Sequence, residues 1–97
     1  MRPGMKSNIH RHSGPEAWYT LQGATCLETP NATYVGRPGT PPVIVPGGPP
    51  MELTATGTAI RKALVLILHD ASRPPTMMDS TWKPRGRRTA DRDRSAR

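Results

Sequence analysis

The sequence predicts an all-β domain, and three observations carry that expectation. Proline supplies 12 and glycine 9 of the 97 residues, and there is no phenylalanine. Each internal proline removes a helical donor and collides with the preceding turn, so long helices are excluded. Turn signals recur throughout the body at Ser13-Gly14-Pro15, Gly23, Thr29-Pro30-Asn31, Gly36 through Pro42, Pro46 through Pro50, Gly57-Thr58 and Ser72 through Pro75. Short runs between closely spaced turns are the rhythm of a small sandwich or barrel. Finally, Met51-Glu52-Leu53-Thr54-Ala55-Thr56 alternates, with Met51, Leu53 and Ala55 on one face, which is the period of a half-buried strand.

Two further runs read as strands. Ala17 to Gln22 is rich in aromatic and β-favouring residues, and Val43-Ile44-Val45 is a β-branched triplet. Ala59 to Ala71 fits two forms. Ile60, Ala63, Leu64, Ile67, Leu68 and Ala71 make a helical stripe, while Val65 and Leu66 render the run apolar on every side, as in a strand buried on both faces.

Length and charge narrow the function classes. Ninety-seven residues allow one domain with a small core. The formal net charge of +7 is uneven: residues 83–97 hold seven basic and two acidic side chains, a net of +5, while residues 1–82 carry only +2. The expected organisation is a domain over 1–82 and a disordered basic tail over 83–97, which lacks apolar residues to bury. Such a tail attracts phosphates without specificity. It interleaves no aromatic side chain for base stacking, so no specific nucleic-acid recognition is expected. The longest apolar run, Ala63 to Leu68, is too short to span a bilayer, and no apolar segment follows the N-terminal charges. The chain therefore reads as cytoplasmic, without a membrane partner. A single cysteine, Cys26, excludes an internal disulfide and an all-thiolate metal site, and it has no basic neighbour in sequence to activate it. Nucleotide-binding glycine loops and the Gly-x-Ser-x-Gly elbow are absent.

One constellation carries chemistry. Gly4 is followed after five residues by His10-Arg11-His12, then after three by Glu16, then after six by Gly23. On a strand, side chains two apart share a face about 7 Å apart. His10 and His12 can thus aim at one ion, and the Ser13-Gly14-Pro15 turn returns Glu16 beside His12. Two neutral imidazoles and a carboxylate form a facial set that leaves positions open on a divalent metal, with Fe, Mn, Ni, Co, Cu and Zn all admitted.

This spacing resembles the first motif of the cupin superfamily, Gly-x5-His-x-His-x3-Glu-x6-Gly, at every fixed position. The wording His-Arg-His-Ser-Gly-Pro-Glu-Ala-Trp-Tyr, with Val-Ile-Val-Pro-Gly-Gly-Pro-Pro-Met and Leu-Val-Leu-Ile-Leu-His-Asp further on, is similar to small single-domain bacterial cupins. The resemblance extends over residues 4–82. It implies a double-stranded β-helix barrel with a metal in its mouth, held by His10, His12 and Glu16, with Glu16 as ligand or general base. A small-molecule ligand or substrate would fill the open positions, and an oxygenase-type oxidoreductase is the reaction class the set suggests, with an isomerase acting on an enolisable carbonyl as the other. A non-catalytic binding module is the alternative. The second cupin motif, Gly-x5-Pro-x-Gly-x2-His-x3-Asn, is partial: Pro46 and Gly48 are in place, Gly39 lies one residue too far upstream, Met51 holds the histidine position and Ala55 the asparagine position. Met51 then reads as an apolar wall of the pocket. His69, at the parity of Val65 and Ile67, is a candidate replacement ligand, and Trp18 and Tyr19 are expected in the core. Members of the family normally have strands before the first motif, whereas Met1 stands three residues before Gly4. The expected barrel is therefore incomplete at its N-terminal edge. An exposed edge invites pairing, so either the chain forms a homodimer or it is a truncated, degenerate product.

Overall fold

The computed structural model describes residues 1–86. These residues form an all-β fold with no helix among them. Its strands are β1 (His10–Arg11), β2 (Glu16–Gln22), β3 (Ala24–Glu28), β4 (Thr33–Gly36), β5 (Val43–Val45), β6 (Glu52–Thr56), β7 (Lys62–Ile67) and β8 (Met77–Met78). They assemble into two three-stranded sheets, β5-β2-β7 and β4-β3-β6, and a two-stranded clip, β1-β8. All pairings are antiparallel. None of the three sheets closes on itself.

Alternation decides which faces meet. Glu16, Trp18 and Thr20 of β2 are buried while Ala17 and Tyr19 between them are half-exposed. Trp18 packs with Leu27 of β3, Val45 of β5 and Met51 just before β6, with Tyr34, Val43 and Leu53 against the cluster. The two three-stranded sheets therefore face one another across this cluster. A bond of 3.1 Å between the hydroxyls of Thr20 and Thr25 joins them as well. Met51 and Ala55 are fully buried and Leu53 packs beside them, as the alternating run predicts.

The free edge of β6 is covered by the N-terminal segment. Gly4 N–H donates to the Ala55 carbonyl (2.7 Å), Ala55 N–H to Met5 (2.9 Å) and Ser7 N–H to Leu53 (2.8 Å). Farther along, His10 and Met51 exchange both backbone bonds, at 3.1 and 2.8 Å. Among the described residues the end strands β4, β5 and β7 each keep one edge without a strand partner, and β7, the longest of them, pairs only with β2.

The two-way reading of Ala59–Ala71 resolves to strand, since Lys62–Ile67 pairs with β2 through Glu16↔Ile67, Trp18↔Val65 and Thr20↔Ala63. A strand buried on both faces is not found: Leu64, Val65 and Leu66 are exposed. The physical reason is position, because β7 ends its sheet and, among the described residues, no layer covers its outer face. Of the basic segment, Arg85 and Gly86 donate their backbone N–H groups to the buried Glu28 carboxylate at 2.7 and 3.2 Å. The remainder of the expected tail, 87–97, lies outside the described residues.

Candidate metal centre

The three residues of the expected site sit around one turn. His10 lies in β1, His12 just beyond it, and Glu16 opens β2. The turn between them is held by close backbone packing. A β-carbon on Gly14 would collide with the Leu68 carbonyl, and one on Gly47 would lie 2.6 Å from the Gly14 oxygen. Only glycine fits at either position, so the loop before β6 presses directly on the turn that brings Glu16 back to His12.

Both histidines have their tautomers set by backbone carbonyls. His10 Nδ1 is 2.7 Å from the Asn8 oxygen and His12 Nδ1 is 2.6 Å from the Pro75 oxygen. A carbonyl only accepts, so each Nδ1 is the donor and, in the neutral ring, each Nε2 keeps its lone pair. Carbonyl bonding of the far nitrogen is the usual way to orient a metal-ligating imidazole. The two rings meet edge to face with centroids 5.0 Å apart.

His12 and Glu16 are almost wholly buried, at 2% and 6% exposure. His12 Nε2 stands 3.5 Å from Glu16 Oε2. Neither His12 Nε2 nor Glu16 Oε1 has a hydrogen-bond partner. A lone pair facing a carboxylate in a buried site is repulsive unless a positive species lies between or beside them, either a proton on Nε2 or a cation. Donor atoms bonded to one ion at about 2.1 Å and a tetrahedral angle stand roughly 3.4 Å apart. The His12–Glu16 spacing fits that requirement. The set of three is looser: among the described residues, no group of three or more His, Cys, Asp or Glu side chains is gathered closely enough to hold an ion. His10 is beside His12 and only half-buried, the least enclosed of the three.

The other expected participants divide clearly. Met51 is fully buried in the apolar cluster and backbone-bonded to His10, a wall beside the imidazoles. His69 does not replace the missing histidine. It is exposed, its Nδ1 bonding the Asp70 and Arg73 carbonyls at 2.9 and 3.1 Å, because the chain leaves β7 at Ile67 before reaching it. Trp18 belongs to the core, and Tyr19 lies half-exposed on the opposite face of β2, accepting from Gly39 N–H at 3.4 Å. Cys26 is buried.

Sequence reasoning missed Arg61. It is half-buried, its Nε donates to Thr25 Oγ1 at 2.5 Å, and Nη1 lies 3.7 Å from the Met1 sulfur. Burial lowers its pKa, and the nearby Glu16 carboxylate partly opposes that shift. A lone arginine at a strand end, next to Lys62, reads as solvated charge, and no sequence signal distinguishes it.

Among the described residues, no helix is long and apolar enough to cross a membrane. The sequence matches no protein-family model and no curated protein.

Proposed function

We propose that the chain is a metal-binding domain of the cupin type that acts on a small molecule, with His10, His12 and Glu16 holding a divalent ion at one end of two opposed sheets. The observation that carries this reading is the buried pair of unpartnered acceptors, His12 Nε2 and Glu16 Oε1, beside a second carbonyl-oriented histidine. The barrel is the arrangement the two sheets would approach, with the mouth at the His12–Glu16 turn. A bound ion would supply Lewis-acid or one-electron chemistry to a small oxygen-bearing substrate, and a dioxygenase-like oxidoreductase is the class we assign. The chain's own part is then to fix both imidazoles through Asn8 and Pro75, to exclude water with Met51 and Trp18, and to move a proton at Glu16 Oε1, the carboxylate oxygen without a donor. We further propose that it works as a homodimer joined through the bare β7 edge.

A non-catalytic small-molecule-binding module is the second reading. It is favoured by Met51, which puts an apolar side chain where the second cupin motif has a histidine.

Metal analysis tests the first reading; bound metal is compatible with a metal-bound form of the second, whereas its absence leaves only the second. Purified protein should carry one equivalent of a divalent metal, and His12→Ala should lose it. His10→Ala should lower occupancy at least tenfold, with circular dichroism showing that each variant remains folded. Folded wild-type protein that takes up no metal from Fe, Mn, Ni, Co, Cu or Zn solutions would end the metal reading and leave the binding module.

A further inference from the structure

His12 Nε2 and Glu16 Oε1 are buried, so an ion or a small molecule reaches them only if part of the protein moves. The elements around the site are not equally fixed. The opposed sheets are fastened by the cluster of Trp18, Leu27, Val45 and Met51. The N-terminal segment is bonded along β6 from Gly4 to His10. Residues 75–86 differ: none is fully buried, and none joins that cluster. Yet they lie directly on the site. His12 Nδ1 donates to the Pro75 carbonyl, and Thr76 Oγ1 stands 3.4 Å from the same nitrogen. The β1-β8 ladder and the Asp79 N–H, which donates to the Ile9 carbonyl at 3.1 Å, then lay the segment along β1. Its fastenings are polar and gather at two points. One is Asp79, whose side chain is 3% exposed and pairs with Arg11, the residue between the two histidines. The other is the buried Glu28 carboxylate at the end of β3, which accepts from the N–H groups of Arg85 and Gly86. Segments with few buried apolar contacts are those that open locally while the core stays folded.

We propose that residues 75–86 are a strap that opens and closes over His12, with the Arg11–Asp79 pair as its clasp and Glu28 as its latch. The inference rests on the reading of His12 and Glu16 as a binding site and adds how that site is entered. Closed, the strap supplies the Pro75 carbonyl that keeps the proton on Nδ1 and leaves the Nε2 lone pair facing Glu16. Open, it uncovers the Nδ1 edge of the imidazole and frees the ring to turn, which admits the ion or small molecule. The alternative movement, parting the two sheets, would bring Trp18, Leu27 and Met51 into water. Lifting the strap breaks a two-residue ladder, one ion pair and the bonds at Glu28, and water replaces most of what those groups lose. The exposed run 71–74 stands immediately before the strap and takes up its change of direction.

The test uses the whole chain after chelator treatment. In wild type, the Asp79 amide should exchange with deuterium about tenfold or more faster than the amides of the central strand β3, because the strap opens while the sheets remain closed. Diethyl pyrocarbonate, which acylates accessible imidazoles, then reads the site itself, with each histidine followed by peptide mass spectrometry. Asp79→Asn and Arg11→Ala should raise the His12 rate by about tenfold, the effect of one lost charge-assisted bond. Glu28→Gln, which keeps one acceptor oxygen, should raise it less. His69, exposed whether the strap is open or closed, should react at the same rate throughout. Wild-type exchange carries the test if the variants fail to fold. An Asp79 amide as protected as those of β3 would overturn the strap. So would an unchanged His12 rate in both clasp variants, or a rise matched by equal acceleration of β3 exchange, which is loosening of the whole domain. Metal uptake by the same samples keeps the strap and the metal centre apart. His12 made reactive by clasp loss, in protein that takes up none of Fe, Mn, Ni, Co, Cu or Zn, leaves the strap standing and removes the metal. Metal bound at a rate that neither clasp variant changes does the reverse.

Discussion

At Gly36 a single hydrogen atom separates β4 from the largest side chain of the core. A β-carbon there would collide with the Trp18 ring, approaching Cη2 to 3.1 Å and the Thr20 hydroxyl to 3.2 Å. Trp18 is wedged among Leu27, Val45 and Met51 and has no empty direction to take. Gly36→Ala should therefore destabilise the domain by about 1–3 kcal/mol, the usual cost of overpacking, measured by urea denaturation with tryptophan fluorescence. A variant as stable as wild type would mean that β4 slides away freely. The same scale separates what the residues announce from what they conceal. The meeting of His12 and Glu16 is legible because it is local: four residues of chain, bent at Ser13 and Gly14, separate them. Arg61 is illegible because its partner Thr25 is 36 residues away and its place depends on how two sheets are laid together. Met51 falls between, since alternation predicts its burial but not its backbone pairing with His10.

Elements repeat this contrast between local pattern and distant pairing. β2, β5 and β6 are written in alternation and β-branched runs, and they form where those patterns lie. β3 and β4 fall in the stretch between the two motifs, where Thr25-Cys26-Leu27 and Thr33-Tyr34-Val35 alternate too weakly to declare strands. They exist because they pair with each other and β3 with β6. The clip β1-β8 is the extreme case. Two-residue strands carry no periodicity, and the pairing of His10 with Met78 and Arg11 with Met77 is held by side chains around Asp79. Asp79 accepts from the Thr81 hydroxyl and N–H at 2.6 and 2.7 Å and pairs with Arg11. The Thr81 bonds first, then Arg11, lower its pKa to about 2. An aspartate in the unfolded chain titrates near 3.9. A depressed carboxyl stabilises the folded state above the unfolded value, and that contribution disappears as pH falls through the folded one. The stability difference between wild type and Asp79→Asn should accordingly be constant above about pH 5 and shrink toward zero as pH approaches 2. Denaturation at several pH values measures it. A difference that does not change with pH would show that Asp79 does not fasten the clip through its charge.

For the molecule as a whole, the unresolved demand is the outer face of the β5-β2-β7 sheet. Ile44, Leu64 and Leu66 are exposed there, at 69, 63 and 62%, around a shallow groove formed with Ala17, Tyr19 and Pro42. Scattered exposed leucines need no explanation, but a contiguous apolar face beside an unpaired edge does. A second copy satisfies both needs at once. If β7 pairs antiparallel with itself about a twofold axis at Val65, Leu64 stands opposite Leu66 of the second copy on the same face. Lys62 then stands opposite Leu68, and no like charges meet. The two three-stranded sheets become one six-stranded sheet, which is the self-complementary pattern a twofold interface requires. Light scattering on a sizing column should then give the mass of two chains of 10.6 kDa each. Leu66→Lys places four carbons and a charge on that face without touching the buried cluster, so it should yield a folded monomer. A wild-type protein that remains monomeric at about 100 µM, in the range where weak specific pairs already associate, would leave the β7 edge without a partner and remove the dimer from the proposal.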